Sequence, residues 1–316
     1  MTEVATEAAT ALPVRGRRLR RVTEVATEAA STAEVVAAVL SWGRRHRRDL
    51  PWRRTRDPWA VLVSELMLQQ TQVGRVAVRY ERFVERFPDA AACHAAPLAD
   101  VLREWHGLGY PRRARDLHRA AGLVVERHGG RVPDRLDELL ALPGVGPYTA
   151  RAVLVFAYER DEAVVDTNVA RLMARWGGRP LTLRAVQACA DAHVPAGHAW
   201  PWNQALLDLG ATVCTKRAPA CDRCPAAPWC GWRRAGCPGP DPAQGSAGTS
   251  RRQRPFAGSD RQLRGRVLAA LVARPVTDAE LIAVVDDPDR TVSVVAGLLA
   301  DGLIVRRGDR LLLPGD

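Results

Sequence analysis

Residues 142–150 read LPGVGPYTA, and this segment decides the fold. Gly144 and Gly146 let the backbone bend and approach a ligand closely, and Pro147 is a favoured residue for the first turn of a helix. Backbone N–H groups exposed at a helix start bind phosphate through hydrogen bonds and the helix dipole. The segment is therefore typical of a helix-hairpin-helix turn, which holds the DNA backbone without reading its sequence.

Helical periodicity extends to both sides of this turn. The segment AVLVSELMLQQTQVGRVAVRYERFVERF (60–87) carries apolar residues three to four positions apart, with a break near Gly74. Further helices are predicted over 32–46, 98–105, 112–128, 135–141, 147–158, 166–176, 183–192 and 202–212. No convincing strand pattern occurs in this part of the sequence. We therefore predict an all-α, two-lobed domain over residues 32–235.

Four cysteines follow the last of these helices with a distinctive spacing. They form a C-x6-C-x2-C-x5-C run and are Cys214, Cys221, Cys224 and Cys230. Four soft donors so close in sequence suit a metal ion or an iron–sulfur cluster, and zinc sites also use C-x2-C. The chain has seven cysteines in all, and this odd number with one dense group favours a metal site over a disulfide framework.

The charge balance points to a polyanionic partner. Lys and Arg outnumber Asp and Glu by 46 to 35, which gives a net charge of +11. Such a surface favours nucleic acid over a membrane, although the arginine usage of a GC-rich genome would give the same balance. The sequence has no apolar run of about 20 residues and no signal-peptide pattern. We expect a monomeric cytoplasmic, nucleoid-associated protein without membrane contact.

The two ends of the sequence differ from this central domain. Residues 1–31 contain a near-duplication, TEVATEAAT at 2–10 and TEVATEAAS at 23–31, and are predicted to form a disordered arm. Residues 236–259 are rich in Gly, Pro and Ser, which predicts a linker. Residues 260–316 predict three helices and a hairpin around Gly308-Asp309, a winged-helix-like unit. DNA binding and a purely structural cap are equally compatible with this unit.

Several motifs in one order resemble a known family. LPGVGPYTA, then VVDTNVAR (164–171), then the four-cysteine run resemble the endonuclease III superfamily of base-excision glycosylases. LPWR (50–53), SELMLQQTQV (64–73) and WHGLGY (105–110) resemble its adenine DNA glycosylases of the MutY type. The resemblance covers about residues 34–232. It implies a [4Fe-4S] cluster on the four cysteines (214–230) and, as substrate, double-stranded DNA in which adenine is mispaired with 8-oxoguanine or guanine.

Two carboxyl groups fit the chemistry of cleaving a glycosidic bond. The departing adenine needs an acid, and the sugar cation needs stabilisation. Glu65 lies in the apolar run LVSELML, where burial would raise its pKa and keep it protonated. The resemblance implies that Glu65 protonates the adenine ring. Asp166 opens a helix, a usual place for a capping Asp, and the resemblance implies that it stabilises the cation at C1′, electrostatically or through a transient covalent bond. Asn168 is a weaker candidate for positioning the water or Asp166.

Tyr148 decides the reaction class. In the endonuclease III branch the matching position is a lysine that forms a Schiff base with the sugar. Here it is Tyr148, and the helix that follows contains no lysine. We therefore predict a monofunctional glycosylase with little or no strand-nicking lyase activity.

The target base must leave the helical stack before it can enter a pocket. The resemblance implies that Gln70 acts as a wedge and contacts the opposite base, and that the ring of Tyr110 intercalates. It places Trp52 and Arg53 in the adenine pocket. The complete set of predicted DNA-binding residues is Gln69, Gln70, Tyr110, Gly144, Gly146, Trp52 and Arg53. Pro111 follows Tyr110 where adenine glycosylases often carry a second aromatic residue.

The C-terminal end departs from the family, and other functions stay open. Many adenine glycosylases carry a β-rich domain resembling Nudix hydrolases that recognises 8-oxoguanine, whereas about 57 residues follow the linker here. The first alternative is a glycosylase for thymine or uracil opposite guanine, whose members also carry Tyr at this position. The others are a lyase acting on oxidised pyrimidines and a DNA-binding regulator without catalysis. LMLQQTQV favours adenine, and Glu65 with Asp166 favours catalysis.

Overall fold

The computed structural model describes residues 32–246, 255–285 and 287–316, and these are mostly helical. The predicted arm at 1–31 lies outside the described residues, as does the middle of the predicted linker. The helices up to the cysteine loop are 32–46 (α1), Pro58–Leu68 (α2), Val73–Arg86 (α3), Ala90–Ala95 (α4), Leu98–Trp105 (α5), Arg112–His128 (α6), Leu136–Leu140 (α7), Pro147–Phe156 (α8), Thr167–Trp176 (α9), Leu183–Asp191 (α10) and Ala199–Thr212 (α11). A short helix, Gly231–Arg234 (α12), follows the cysteines.

Two separate groups of buried apolar side chains define two lobes. One group lies among α2–α8 and includes Leu62, Phe83 and Leu117. The other joins α1 to α9–α11 and includes Leu172 and Trp202. Most helices bury an apolar stripe against their neighbours, whereas α2 is buried on nearly all sides, and each group is a hydrophobic core of its own. The prediction of an all-α, two-lobed fold is confirmed.

The predicted helices are found with small shifts at their ends, and the break in the segment 60–87 lies earlier than expected. Helix α2 ends at Leu68 and α3 begins at Val73, so Gly74 lies in the first turn of α3. Arg113 stabilises this helix end, because its guanidinium donates to the carbonyl oxygens of Leu66 (2.8 Å) and Met67 (2.9 Å). Carbonyl groups in the last turn of a helix need such outside donors.

The C-terminal unit contains three helices and a small sheet. Its elements are Asp260–Ala273 (α13), Val276–Thr277 (β1), Asp278–Val285 (α14), Pro288–Ala300 (α15), Val305–Arg307 (β2) and Arg310–Leu312 (β3). The strands pair antiparallel in the order β1-β3-β2. The hairpin β2–β3 turns at Gly308 (φ 60°) as predicted, and β1 is an addition. The apolar core of the unit is continuous with that of the α2–α8 lobe.

Part of the predicted linker contacts the second lobe. Asp241 pairs with Arg175 of α9 (2.6 Å), and the Ser246 hydroxyl accepts a hydrogen bond from the Leu181 backbone (3.0 Å). Residues 236–246 therefore lie against the second lobe, and the boundary of the C-terminal unit stays a prediction. Across the described ranges, every helix is too short or too polar to cross a membrane.

Candidate active site

The turn between α7 and α8 has the geometry that LPGVGPYTA predicts. Gly144 has φ 78°, and a Cβ atom there would lie 3.1 Å from the Cβ of Asp116. Gly146 is the N-cap of α8 and Pro147 its first residue. Gln69 Nε2 donates to the Gly144 carbonyl oxygen and to Thr149 Oγ1, both at 3.2 Å. Gln69 therefore fastens the end of α2 to the turn.

Glu65 is a buried carboxyl group on α2 behind this turn. Only 4% of the Glu65 surface is exposed. Its Oε2 atom has no hydrogen-bond partner among the described residues. Burial raises the pKa of Glu65 to about 7; the Tyr148 hydroxyl opposes the rise by hydrogen bonding, and the charge of Asp166 adds to it. A carboxyl group with this pKa can donate a proton near neutral pH.

Asp166 is the N-cap of α9. Its Oδ1 accepts hydrogen bonds from the backbone N–H groups of Asn168 (2.8 Å) and Val169 (2.7 Å), and its Oδ2 accepts one from Asn168 Nδ2 (2.7 Å). Burial raises the pKa of Asp166, whereas these donors lower it by favouring the carboxylate. The net effect raises the pKa of this fixed, partly desolvated carboxyl group, and its negative charge when ionised raises the pKa of Glu65.

Asn168 is held by a residue that the sequence did not single out. Arg171 donates to Asn168 Oδ1 (2.9 Å), to the Cys214 carbonyl oxygen (2.7 Å) and to the Gly210 carbonyl oxygen (2.6 Å). The Asn168 side chain is therefore fixed between Asp166 and Arg171. An arginine buried on an apolar helix gives no signal in the sequence beyond its position in VVDTNVAR.

The four cysteines of the run line one cavity, beside Arg175 and Trp232. Arg175 donates to Cys214 Sγ (3.2 Å), and the Cys230 thiol donates to the Arg175 carbonyl oxygen (3.3 Å). Among the described residues, no group of three or more His, Cys, Asp or Glu side chains is arranged to hold a metal ion. The chemistry of four soft thiol donors around a shared cavity, beside a buried cation, nevertheless fits a negatively charged iron–sulfur cluster.

Gln70 and Tyr110 line the same cleft, although 40 positions separate them in the sequence. Gln70 is exposed, and both residues have positive φ, 56° for Gln70 and 48° for Tyr110. Such angles are uncommon outside glycine and cluster at functional sites. The guanidinium of Arg113 lies 5.1 Å from the centre of the Tyr110 ring and donates to the Gly109 carbonyl oxygen (3.1 Å).

Trp52 and Arg53, which were predicted to line an adenine pocket, both have buried side chains. Trp52 is 7% exposed, and its ring meets Tyr80 edge to face at 5.7 Å. Arg53 pairs with the buried Asp208, with contacts of 2.7 and 2.9 Å. The positive charge of Arg53 lowers the pKa of Glu65, so Arg53 is near the candidate acid. Asp208 was missed because an Asp within a helix does not reveal its distant partners.

The hairpin turn, Glu65 and Asp166 all lie within a segment that matches a superfamily of base-excision DNA repair proteins. Residues 63–190 match the HhH-GPD superfamily of base excision DNA repair proteins. The chain is 45% identical to the adenine DNA glycosylase of Mycobacterium tuberculosis (strain H37Rv), over 88% of this chain and 93% of that protein. It is 44% identical to the adenine DNA glycosylase of Mycolicibacterium smegmatis, over 88% of this chain and 95% of that protein. The chain belongs to the adenine DNA glycosylase family within that superfamily.

More distant relatives share the fold. A thymine/uracil-DNA glycosylase of Methanothermobacter thermautotrophicus is 33% identical over 203 residues, which are 62% of this chain and 92% of that protein. The structure of a thermostable thymine-DNA glycosylase superposes with a TM-score of 0.62 at 30% identity, over 66% of this chain and 99% of the other. The structure of a non-covalent endonuclease III–DNA complex superposes with a TM-score of 0.57 at 22% identity. The match covers 65% of this chain and 97% of the other.

Proposed function

We propose that the protein, acting as a monomer, hydrolyses the N-glycosidic bond of adenine mispaired with 8-oxoguanine or guanine in double-stranded DNA. The observation that carries the proposal is Glu65, a buried carboxyl group with a pKa of about 7 and an oxygen without a protein partner. Such an oxygen is suited to a ligand that brings its own hydrogen-bonding nitrogen. The adenine DNA glycosylases that share 44–45% of the sequence support the choice of base.

Glu65 and Asp166 divide the reaction between them. Protonated Glu65 gives its proton to a ring nitrogen of the flipped adenine, and the bond between that base and C1′ then breaks with its electron pair leaving on adenine. The sugar becomes an oxocarbenium-like cation, which the fixed carboxylate of Asp166 stabilises. Water adds to C1′ and loses its proton, and the product is an abasic site. Asn168 holds Asp166 in place through the contact at 2.7 Å.

The reaction stops at hydrolysis because position 148 carries a tyrosine in place of a lysine amine. Tyr148 occupies the helix start, and burial raises the pKa of its phenol well above the usual value, so the hydroxyl keeps its proton and acts as a donor beside Glu65. The whole chain has a single lysine, Lys216, in the cysteine loop. A Schiff base from a lysine at position 148 is therefore excluded, and strand nicking is not expected.

The donor set of the cysteine cavity supports a [4Fe-4S] cluster held by Cys214, Cys221, Cys224 and Cys230. Such a cluster would crosslink the loop after α11 and supply a compact charged centre, with no part in the glycosidic chemistry. Arg175 would offset its charge, since it lies 3.2 Å from Cys214 Sγ. Iron and sulfide analysis of the purified protein tests this directly.

One assay separates the candidate functions. Purified protein is incubated with duplexes containing A:8-oxoG, A:G, T:G or thymine glycol, and the products are analysed with and without alkali. Adenine release with nicking only after alkali supports the proposal, whereas nicking without alkali would establish lyase chemistry. Glu65→Gln should bind the mispair and fail to cleave it, and Glu85→Gln, an exposed change on α3, should cleave normally. Retained turnover in Glu65→Gln would remove Glu65 from its role.

The second candidate is removal of thymine or uracil opposite guanine. It is favoured by the thymine/uracil-DNA glycosylase at 33% identity and by the structural match at a TM-score of 0.62. Release of thymine from T:G with intact A:8-oxoG would establish it. Binding without release of any base would leave only a DNA-binding regulator.

A further inference from the structure

Ion pairs and hydrogen bonds join the C-terminal unit to the segment that carries Tyr110. Asp301, at the end of α15, makes most of them. Its carboxylate accepts hydrogen bonds from Arg112 at 2.6 Å and from Arg264 of α13. Arg115 donates to the Asp301 carbonyl oxygen. The Asp301 side chain is only 10% exposed. A shielded carboxylate shared by two guanidinium groups holds its partners more firmly than an exposed pair does.

A second contact fixes the orientation of the unit. Asp316 pairs with Arg103 of α5 at 2.6 Å, and the Ala99 backbone N–H donates to the Pro314 carbonyl oxygen at 2.9 Å. Apolar side chains of α13 join the core of the α2–α8 lobe. Helix α13 is therefore held at a defined place beside residues 109–112.

The side chain of Tyr110 contacts an arginine of the α2–α8 lobe and an arginine of the C-terminal unit. The centre of its ring lies 5.1 Å from the guanidinium carbon of Arg113, a residue of the α2–α8 lobe. Its hydroxyl accepts a hydrogen bond from Arg261 of α13 at 3.2 Å. Tyr110 and Arg261 both line a cleft with a volume of about 860 Å³, which is also lined by Gln70 and Phe256.

We propose that Arg261 is a positioning residue, through which the C-terminal unit orients the Tyr110 ring for insertion into DNA. The inference rests on the proposed function, since it requires Tyr110 to contact the duplex. A ring already held in its inserting orientation loses less conformational freedom on binding, so affinity rises without a new contact. The C-terminal unit in this way contributes to DNA binding through Tyr110.

A double-mutant cycle tests the proposal on the full-length chain. Binding to a duplex with A opposite 8-oxoG is measured in a Glu65→Gln background for Arg261→Ala, Tyr110→Phe and both together. Each single change should weaken binding about fivefold, the usual weight of one hydrogen bond, and the double change should weaken it no further. Arg266→Ala, an exposed change on the same helix, is the matched control and should bind normally.

The salt dependence of binding separates positioning from a phosphate contact. Removing a phosphate contact would lower the slope of log affinity against log salt by about one, whereas Arg261→Ala should leave the slope unchanged. A lowered slope, or an equal loss from Arg261→Ala with and without the Tyr110 hydroxyl, would overturn the proposal. If Tyr110→Ala impairs binding and Arg261→Ala does not, the inference fails while the proposed function stands. If the wild-type protein releases no adenine, the proposed function fails.

Discussion

Raising the pH through 7 should switch off base excision by deprotonating Glu65. Burial lifts the pKa of this group from 4.5 to about 7, which corresponds to about 3 kcal/mol of destabilisation of the ionised form. The protonated fraction is then about nine-tenths at pH 6 and about one-tenth at pH 8. Only the protonated form can supply the acid, so the rate follows this fraction.

The measurement is the single-turnover rate of adenine release at saturating protein across pH 5–9. The rate constant should fall about tenfold per pH unit above about 7. Tyr148→Phe should move the fall to higher pH, because the Tyr148 hydroxyl lowers the pKa of Glu65. Tyr158→Phe, whose hydroxyl donates to the Val132 carbonyl oxygen elsewhere in the lobe, is the control. A rate that stays constant to pH 9 would refute the assignment of Glu65 as the acid.

The same shift predicts how stability depends on pH. Between pH 4.5 and about 7 the folded protein binds more protons at Glu65 than the unfolded chain does. Its contribution to stability is therefore complete below pH 4.5 and is lost as the pH rises through 7. Glu65→Gln should leave the unfolding free energy nearly unchanged at pH 4.5 and raise it by up to about 3 kcal/mol at pH 8. Thermal unfolding at both pH values checks this, with Glu85→Gln as the control, and an equal change at both would contradict it.

Three further changes have defined outcomes. Asp208→Ala should lower the unfolding free energy by about 3–5 kcal/mol, because it leaves Arg53 buried without its partner; a loss below about 1 kcal/mol in chemical denaturation would contradict this. Gly144→Ala should weaken DNA binding with little effect on the Glu65 pKa, since φ 78° and a contact at 3.1 Å oppose a side chain in the turn; titration with duplex tests it. Cys224→Ser should lower bound iron and sulfide relative to wild type, whereas Cys93→Ser, a buried cysteine outside the cavity, should leave both unchanged.

Local patterns predicted the helices well and the shortest elements poorly. Helix α6 was predicted to the residue, because it has a long amphipathic repeat and ends at Gly129 in a left-handed conformation. Helix α4 has six residues, AAACHA, and no visible repeat, so its only signal was Asp89, which caps it through the Ala92 N–H. Strand β1 has two residues and exists because β3 pairs with it.

The sequence by itself determined the helical class, the hairpin turn, the cysteine spacing and the two carboxyl candidates. These features are local, since helix period, caps and glycine-dependent turns act over a few neighbouring residues. Only the tertiary structure decided the state of those candidates. It buried Glu65 beside Tyr148 and Asp166, paired Arg53 with Asp208 across 155 positions, and brought Arg261 to the hydroxyl of Tyr110 across 151. Burial and long-range pairing depend on how helices pack. The pKa of Glu65 and the orientation of the Tyr110 ring therefore cannot be predicted from the few residues around them in the sequence.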